Sequence, residues 1–275
     1  MDYARLDDQL IPLVRQAGQA LLHYYADAAA LDVQTKANHT PLTAADLAAH
    51  DIVVNGLRQL YPDIPVLSEE DAAPLSALAE RKQWPRLWLV DPLDGTREFL
   101  DGSDNFCINI ALVENGEARF GLIYLPISDA AYVGIVGQGA WCQTGTTQRA
   151  IACRNVDNGN TVTLISSRRR FKQSLLELEQ RLAAKFHHIE RVGIGSGVKF
   201  CRVAEGAADI YPCFGPTYEW DTAAGQALVE AAGGRMCGLA QQPFRYNRRA
   251  SLLNGGFYVF ADSQYDWSSL LPAQN

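Results

Sequence analysis

The sequence predicts a mixed α/β (α+β) protein, and three observations carry that prediction. Two amphipathic helix patterns open the chain, hairpin signals follow in the middle, and short strands alternate with helices after residue 160. With 275 residues, of which 48% are hydrophobic and 20% charged, the chain has the composition of an ordinary globular protein. Its length favours two intimately packed lobes, which we place at residues 1–158 and 159–275.

The first two predicted elements are helices. Apolar residues recur at helical spacing from Leu6 to Tyr24, which predicts a helix over the first ~25 residues. A second helix is expected to begin near Thr43, because Pro41 precedes it and an apolar face follows. Residues 43–46 also fit the T-x-x-D capping pattern, in which Asp46 lies in the first helical turn.

Short strands follow these helices. Apolar runs at 64–68 and 87–90 both lead into acidic residues, as expected of buried strands. Asn115-Gly116 separates two further strand patterns and predicts a tight hairpin, and Gly137-Gln138-Gly139 predicts another. The N-terminal lobe is therefore expected to combine a helix pair with a largely antiparallel sheet.

The second half of the sequence alternates between strand and helix patterns. We predict strands at 162–166, 189–192 and 209–211, and helices near 171–186, 198–205 and 222–232. This alternation is typical of an α/β lobe.

The charge balance excludes some classes of function. A net charge of −7 argues against a protein that coats nucleic acid polymers, whereas a small phosphorylated substrate is compatible if a bound dication reverses the local field. The six cysteines form no C-x-x-C pair and predict reduced thiols. No basic N-terminal leader and no run of about 18 apolar residues is present, so we expect a cytoplasmic protein without an integral membrane segment.

Acidic residues stand where the predicted strands end. Glu69 and Glu70 follow one strand, Asp91 and Asp94 follow another, and Asp221 stands at a predicted helix start. If the strands are neighbours, these carboxylates converge, and two of them ~4 Å apart repel by about 4 kcal/mol at an effective dielectric constant of about 20. Such a cluster requires protons or cations, and all-oxygen ligation favours Mg²⁺ or Mn²⁺ over zinc.

The segment Asp91-Pro92-Leu93-Asp94-Gly95-Thr96 has a spacing that suits this chemistry. Pro92 is expected to end the strand ladder and to turn the chain so that both acids face one point, which frees the Leu93 carbonyl as a further ligand. Gly95 permits close approach of a phosphate, and a helix from Thr96 would direct its positive end at that anion. The alternative for this segment alone is a surface turn.

Three blocks of the sequence resemble the signatures of the lithium-sensitive inositol monophosphatase superfamily. They are Glu69-Glu70, residues 91–96, and Trp220-Asp221-Thr222-Ala223-Ala224. Arg97-Glu98-Phe99 is similar to the bacterial 3'(2'),5'-bisphosphate nucleotidase (CysQ-type) branch, since inositol monophosphatases usually carry Asn where Glu98 stands. The resemblance covers nearly the whole chain and implies a layered αβαβα sandwich of the sugar-phosphatase type.

The resemblance also implies roles for single residues. Glu69, Asp91 and the Leu93 carbonyl would hold one Mg²⁺, and Asp91, Asp94 and Asp221 a second, in a site for two or more ions. Asp46 and Thr96 would orient and deprotonate the attacking water, so that hydrolysis is direct. Glu70 is either a supporting acid or a solvated neighbour. The residues expected to contact substrate are Glu69, Leu93, Asp94, Gly95, Thr96, Ser196, Lys199 and Asp221.

The nucleoside of the substrate is expected on the second lobe. There the glycine-rich turn at 193–199 leads into a helix, and the resemblance assigns Ser196 and Lys199 to nucleotide binding. Ser166, Arg168 and Tyr218 are weaker candidates.

The implied reaction is removal of the 3'-phosphate of adenosine 3',5'-bisphosphate (PAP), giving AMP and phosphate, with PAPS as a further substrate, in sulfate assimilation. An inositol or sugar-alcohol monophosphatase and a non-catalytic nucleotide-binding regulator are the alternatives. The protein is expected to be a monomer or homodimer, with peripheral association at the cytoplasmic side of the inner membrane left open.

Overall fold

Five alternating layers of helix and sheet make up the fold, in a computed structural model that describes residues 3–26, 34–35, 41–71, 79–156, 160–167 and 173–272. The helices are α1 (Leu6–Tyr25), α2 (Ala44–Leu60), α3 (Thr96–Leu100), α4 (Gln173–Ala183), α5 (Val198–Ala204) and α6 (Glu219–Ala231). The strands of the first half are β1 (Gln34–Thr35), β2 (Pro41–Leu42), β3 (Val66–Ser68), β4 (Arg86–Asp94), β5 (Cys107–Glu114), β6 (Glu117–Leu125), β7 (Ala130–Ile135), β8 (Gly139–Thr144) and β9 (Thr147–Ile151). Those of the second half are β10 (Thr161–Ser166), β11 (His188–Gly193), β12 (Ile210–Cys213), β13 (Thr217–Tyr218), β14 (Arg235–Gly238), β15 (Leu253–Asn254) and β16 (Phe257–Phe260). The layers run α1/α2, seven-stranded sheet, α5/α6, five-stranded sheet, α4, which confirms the predicted αβαβα sandwich.

The outer helices α1 and α2 form where the apolar spacing predicts them. One face of α1, including Leu10, Val14 and Leu21, is buried against α2 and the sheet. Thr43 is the N-cap of α2, and its side chain and that of Asp46 form the predicted capping box. This cap fixes the orientation of Asp46 at the end of the helix that faces the site.

The seven-stranded sheet has the order β3-β4-β5-β6-β7-β8-β9. Its first pair is parallel and the others are antiparallel. Both predicted hairpins form, and Asn115 (φ 51°) and Gly116 (φ 85°) adopt the left-handed backbone that a tight hairpin turn requires. Strand β9 has no counterpart among the sequence predictions.

One prediction about β4 was wrong. Pro92 does not end the strand: β4 continues to Asp94, with its pairing to β5 interrupted between Asp91 and Asp94. The proline removes one donor, and the resulting irregularity is accommodated as a bulge within the strand.

The five-stranded sheet has the order β11-β10-β12-β16-β14, in which the first three strands are parallel and the rest antiparallel. The predicted strands at 162–166, 189–192 and 209–211 all form, as do helices α4 and α5. Helix α6 begins at Glu219, three residues before the predicted start, so Asp221 lies inside its first turn. Strands β13 to β16 were not predicted.

Two glycines let α6 approach the large sheet closely. A Cβ at Gly121 would lie 2.1 Å from Ala224 O, and one at Gly134 would lie 2.4 Å from the Cα of Leu228. Both strand positions therefore need glycine, and they allow α6 to pack directly on β6 and β7.

Three sequence predictions concern features outside the site. The lobe boundary at 158/159 lies outside the described residues and stays a prediction. The six cysteines, which all lie among the described residues, form no disulfide with one another. Among the residues described above, no helix is both long and apolar enough to cross a membrane.

Candidate active site

Three carboxylates from distant parts of the sequence meet at one point. Glu69 follows β3, Asp91 lies on β4, and Asp221 lies in the first turn of α6. One oxygen of each lies within 4.8 Å of the others, and Asp91 is 2% exposed. The convergence follows from the parallel pairing of β3 with β4, since parallel strands end at the same edge of a sheet, and from the close packing of α6 on that sheet.

The position of Asp221 depends on the cap of its helix. Its Oδ2 accepts a hydrogen bond of 2.7 Å from the backbone N–H of Tyr218, the N-cap residue of α6. Asp46 has the same place in α2, where its Oδ2 accepts from the N–H and the hydroxyl of Thr43 at 2.8 and 2.6 Å. In both helices one carboxylate oxygen therefore closes the cap and fixes where the other one lies.

Asp94 lies outside the group of three. Its Oδ2 accepts hydrogen bonds from the Gly197 N–H at 2.5 Å, from Asn109 Nδ2 at 3.1 Å and from the Cys107 thiol at 3.7 Å. The Gly197 contact joins the end of β4 to the glycine-rich turn before α5. The predicted role of Asp94 as a ligand of the second ion stays a prediction.

The electrostatics of the cluster favour a bound cation. Burial raises the pKa of Asp221 well above its ordinary value, and repulsion from Asp94 and Glu69 raises it further. Burial also raises the pKa of Asp94, although the positive charge of Lys199 lowers it in part. A divalent cation would neutralise these carboxylates, and a donor set made of carboxylate oxygens alone fits Mg²⁺.

Asp46 and Thr96 lie in contact. The Thr96 hydroxyl is 3.3 Å from Asp46 Oδ1 and 3.3 Å from the Leu93 carbonyl oxygen. Asp46 is 1% exposed, whereas Thr96 is only partly buried. The hydroxyl can therefore donate to either of two acceptors, and its own oxygen can accept a hydrogen bond from a water in the site.

Gly95 is a glycine for two reasons. Its φ of +94° is in the left-handed region, and a Cβ there would lie 3.0 Å from Asn105 O and 3.1 Å from the Cβ of Ser196. Gly95 is the N-cap residue of α3, so the predicted helix from Thr96 is confirmed.

The glycine-rich turn packs directly on the acidic site. A Cβ at Gly195 would lie 2.8 Å from Cγ of Glu98, and Ser196 has a left-handed φ of 49°. Lys199 is 6% exposed, and its Nζ donates to the Ser196 carbonyl at 2.7 Å and lies 5.2 Å from the centre of the Tyr211 ring. The buried amine thus holds the turn in place. The predicted nucleotide contacts of Ser196 and Lys199 stay predictions.

The structure describes two of the three weaker nucleoside candidates, Ser166 and Tyr218. The Ser166 carbonyl accepts from the Ile194 N–H at 3.0 Å, beside an apolar cleft that Leu175, Tyr211 and Phe214 help to line. Tyr218 stacks on Trp220, with ring centres 4.8 Å apart and planes at 9°. Arg168 lies outside the described residues.

Sequence reasoning missed Asn109 and Cys107, which both contact Asp94. Asn109 is 1% exposed and is paired with Asp91 in the ladder between β4 and β5. A signal was present, because Asn109 is the one amide side chain in the apolar run Cys107–Glu114. A buried polar residue in such a strand needs a partner, and the hairpin register would have pointed to the β4 acids.

Comparisons with known proteins show what this chain is similar to. The sequence model of the inositol monophosphatase family matches residues 2–264. The 3'(2'),5'-bisphosphate nucleotidase CysQ of Escherichia coli O157:H7 is 42% identical over 252 residues, which are 92% of this chain and 98% of that protein. The CysQ nucleotidase of Buchnera aphidicola subsp. Acyrthosiphon pisum is 36% identical over 263 residues, 94% of this chain and 95% of that protein.

Solved structures show the same fold. CysQ from Bacteroides thetaiotaomicron, a bacterial member of the inositol monophosphatase family, superimposes with a TM-score of 0.76 at 34% identity, covering 90% of this chain and 93% of that one. A staphylococcal inositol monophosphatase-1 superimposes with a TM-score of 0.77 at 19% identity, over 98% of this chain and 94% of that one, which shows the fold alone.

Proposed function

Because the chain belongs to the inositol monophosphatase family, we propose that it is a Mg²⁺-dependent 3'(2'),5'-bisphosphate nucleotidase. It hydrolyses the 3'-phosphate of PAP to give AMP and phosphate, and PAPS is a second candidate substrate. Such a reaction removes the nucleotide by-product of sulfate assimilation. Mn²⁺ is the alternative ion.

The observation that carries the proposal is the meeting of Glu69, Asp91 and Asp221 within 4.8 Å. Leu93 links this group to the Asp46–Thr96 contact, because its N–H donates to Asp91 Oδ1 at 3.1 Å and its carbonyl oxygen accepts from the Thr96 hydroxyl at 3.3 Å. A cation site and a water-orienting pair side by side are what direct hydrolysis of a phosphate ester needs. The preference for a bisphosphate nucleotide over an inositol phosphate comes from the relatives, because those with 36–42% identity carry the nucleotidase name.

The chain's own residues have distinct tasks in this proposal. Glu69, Asp91 and Asp221 hold Mg²⁺, together with Asp94 and the Leu93 carbonyl. The chemistry that Mg²⁺ supplies in such a site is activation of water and stabilisation of the leaving oxygen in an in-line displacement. Thr96 orients the attacking water through its hydroxyl, and Asp46 accepts the proton. Gly95 leaves room for the phosphate.

The nucleoside is assigned to the surface beyond the glycine-rich turn. Ser196 lies near Asp94, because the Cys107 thiol contacts both, at 3.6 and 3.7 Å. Tyr211, which lies beside Lys199, lines the apolar cleft, so a substrate whose phosphate meets the cation site can extend towards this cleft. Lys199 supports this surface through the Ser196 carbonyl. A cytoplasmic location and a monomeric or homodimeric state remain part of the proposal.

A phosphate-release assay distinguishes the alternatives. With Mg²⁺ present, release from PAP is expected to exceed release from inositol 1-phosphate, and Asp221→Asn serves as the inactive control. A preference for inositol 1-phosphate would favour the sugar-alcohol phosphatase instead. Binding of PAP without phosphate release, at any Mg²⁺ concentration, would favour the non-catalytic regulator.

A further inference from the structure

A loop of the second half wraps the first turn of α6, the turn that carries Asp221. Strand β15 pairs with β13, which directly precedes the helix. The Leu252 carbonyl then accepts the Glu219 N–H at 3.0 Å. Backbone hydrogen bonds therefore connect the start of α6 to residues 252–254.

The side chain of Asn254 adds a second tie. It is 4% exposed, and its Nδ2 donates to the Tyr218 carbonyl at 2.8 Å and to the Thr222 hydroxyl at 2.9 Å. Tyr218 is the N-cap residue whose N–H binds Asp221. Asn254 therefore holds the same peptide segment that orients the Asp221 carboxylate.

A buried carboxylate provides the third tie. Glu219 is 0% exposed, and its two oxygens accept from the Asn247 N–H at 2.7 Å and from Arg249 Nη2 at 3.4 Å. The same Nη2 donates to Asn254 Oδ1 at 2.7 Å. Arg249 thus connects Glu219 with Asn254 across the loop.

Arg81 connects this loop to the part of the chain between Glu69 and Asp91. It is 1% exposed, and its guanidinium donates to Asn247 Oδ1 at 2.7 Å and to the carbonyls of Arg249 and Ala250 at 2.8 and 2.7 Å. Asn247 Nδ2 donates back to the Arg81 carbonyl at 2.5 Å. Because the buried Arg81 guanidinium donates to these loop carbonyls, it holds the loop against the segment that leads into β4.

We propose that Arg81, Glu219, Asn247, Arg249 and Asn254 form a clamp that sets the position of Asp221, with Asn254 as the central positioning residue. None of these side chains belongs to the group of three carboxylates. They act on Asp221 through the first turn of α6, residues 218–222. Their loss is expected to lower the affinity of the site for a cation. The inference rests on the proposed metal site.

The physical reason is that ligand carboxylates must be held in place before a cation binds well. One oxygen of Asp221 is bonded to the Tyr218 N–H, so a shift of that peptide moves the carboxylate with it. Loss of groups that orient metal ligands typically weakens metal affinity by about 10–100-fold.

The test compares two buried amides that contact α6. Asn254→Ala removes the clamp's bonds to the first turn. Gln226→Ala is the matched control: Gln226 is 6% exposed and makes two side-chain hydrogen bonds, to Glu230 and Tyr246, but lies beyond that turn. Mn²⁺ affinity is measured by titration calorimetry, the metal-free melting temperature is measured in chelator, and the Mg²⁺ concentration for half-maximal activity is measured alongside.

Both substitutions are expected to lower the metal-free melting temperature. Only Asn254→Ala should weaken Mn²⁺ binding, by about tenfold, and it should raise the Mg²⁺ concentration for half-maximal activity by the same factor. The clamp proposal is overturned if the Mn²⁺ affinity of Asn254→Ala is within about twofold of that of the parent protein. It is also overturned if Gln226→Ala loses as much Mn²⁺ affinity as Asn254→Ala. If Asn254→Ala does not fold, Arg249→Ala takes its place with the same expected direction, since Arg249 is partly exposed. Unchanged Mn²⁺ binding by Asp221→Asn would instead refute the metal site itself.

Discussion

Gly95 meets two requirements, a left-handed backbone and space for close neighbours, and comparing its replacement by alanine with that of Gly102 separates the two. Gly95 has φ +94°, and a Cβ would lie 3.0 Å from Asn105 O and 3.1 Å from the Ser196 Cβ. Gly102, at the other end of α3, has φ +69° with no atom within 4 Å of its Cβ position. Gly102→Ala therefore measures the backbone strain alone, which we put at about 1–2 kcal/mol.

Gly95→Ala carries the same strain together with two tight contacts. The free energy of unfolding is expected to fall by about 1–2 kcal/mol in Gly102→Ala and by somewhat more in Gly95→Ala. Activity should differ far more, because the new methyl group pushes Ser196 by a few tenths of an ångström and narrows the space for phosphate. Since small displacements of reacting groups can cost ~100-fold in rate, we expect a loss of at least about tenfold in kcat/KM.

The assay is urea unfolding of both variants together with Mg²⁺-dependent phosphate release from PAP. Gly102→Ala should keep activity close to that of the parent protein. The reasoning is refuted if Gly95→Ala has kcat/KM within about twofold of Gly102→Ala, because the close approach at Gly95 would then have no catalytic consequence.

Four further predictions rest on the same geometry. Asp94→Asn should leave the fold intact, because an amide oxygen can still accept from Gly197 and Asn109, yet abolish Mg²⁺-dependent phosphate release; retained release contradicts the ligand role. Thr43→Ala should cost about 1 kcal/mol of stability through the lost side-chain cap, measured by thermal unfolding. It should also lower kcat, measured by steady-state kinetics, because Asp46 Oδ2 keeps only the backbone N–H of its two hydrogen bonds to residue 43. Burial in the folded chain raises the pKa of Asp94 and of Asp221 above the ordinary value for aspartate. Without metal, the folded chain therefore binds more protons than the unfolded chain, and its stability should fall as the pH rises from the unfolded-state pKa through the folded-state pKa of these groups. Mg²⁺ should stabilise the protein less at about pH 5 than at about pH 8, because protons compete for these carboxylates, and an equal gain in melting temperature at both pH values would contradict this.

Local pattern predicted most of the secondary structure because its causes are local. The apolar stripe of α1, the Thr43 cap of α2 and the Asn115-Gly116 turn each depend on residues within a few positions. Strands β13 to β16 were missed for the opposite reason. They are short, from two to four residues, and they form because they pair with elements far away in the sequence, such as β15 with β13.

Pro92 shows how a local rule is overruled. Proline lacks the N–H that a ladder needs, so the sequence predicted the end of the strand. In the structure the chain on both sides of Pro92 remains paired with β5, and the missing bond is absorbed where the pairing shifts. Pairing of Asp94 with Cys107 could not be read from the segment alone.

The sequence by itself determined which residues are chemically able to form the site: acids at strand ends and helix starts, a glycine where the backbone is left-handed, and a threonine beside them. The tertiary structure decided which of them meet. It brought Glu69, Asp91 and Asp221 within 4.8 Å, turned one oxygen of Asp94 towards Gly197 and Asn109, and buried Lys199 under the Ser196 carbonyl. The physical reason is that residue type and spacing fix local conformation, whereas distances between carboxylates from β3, β4 and α6 depend on sheet register and helix packing, which only the whole folded chain defines.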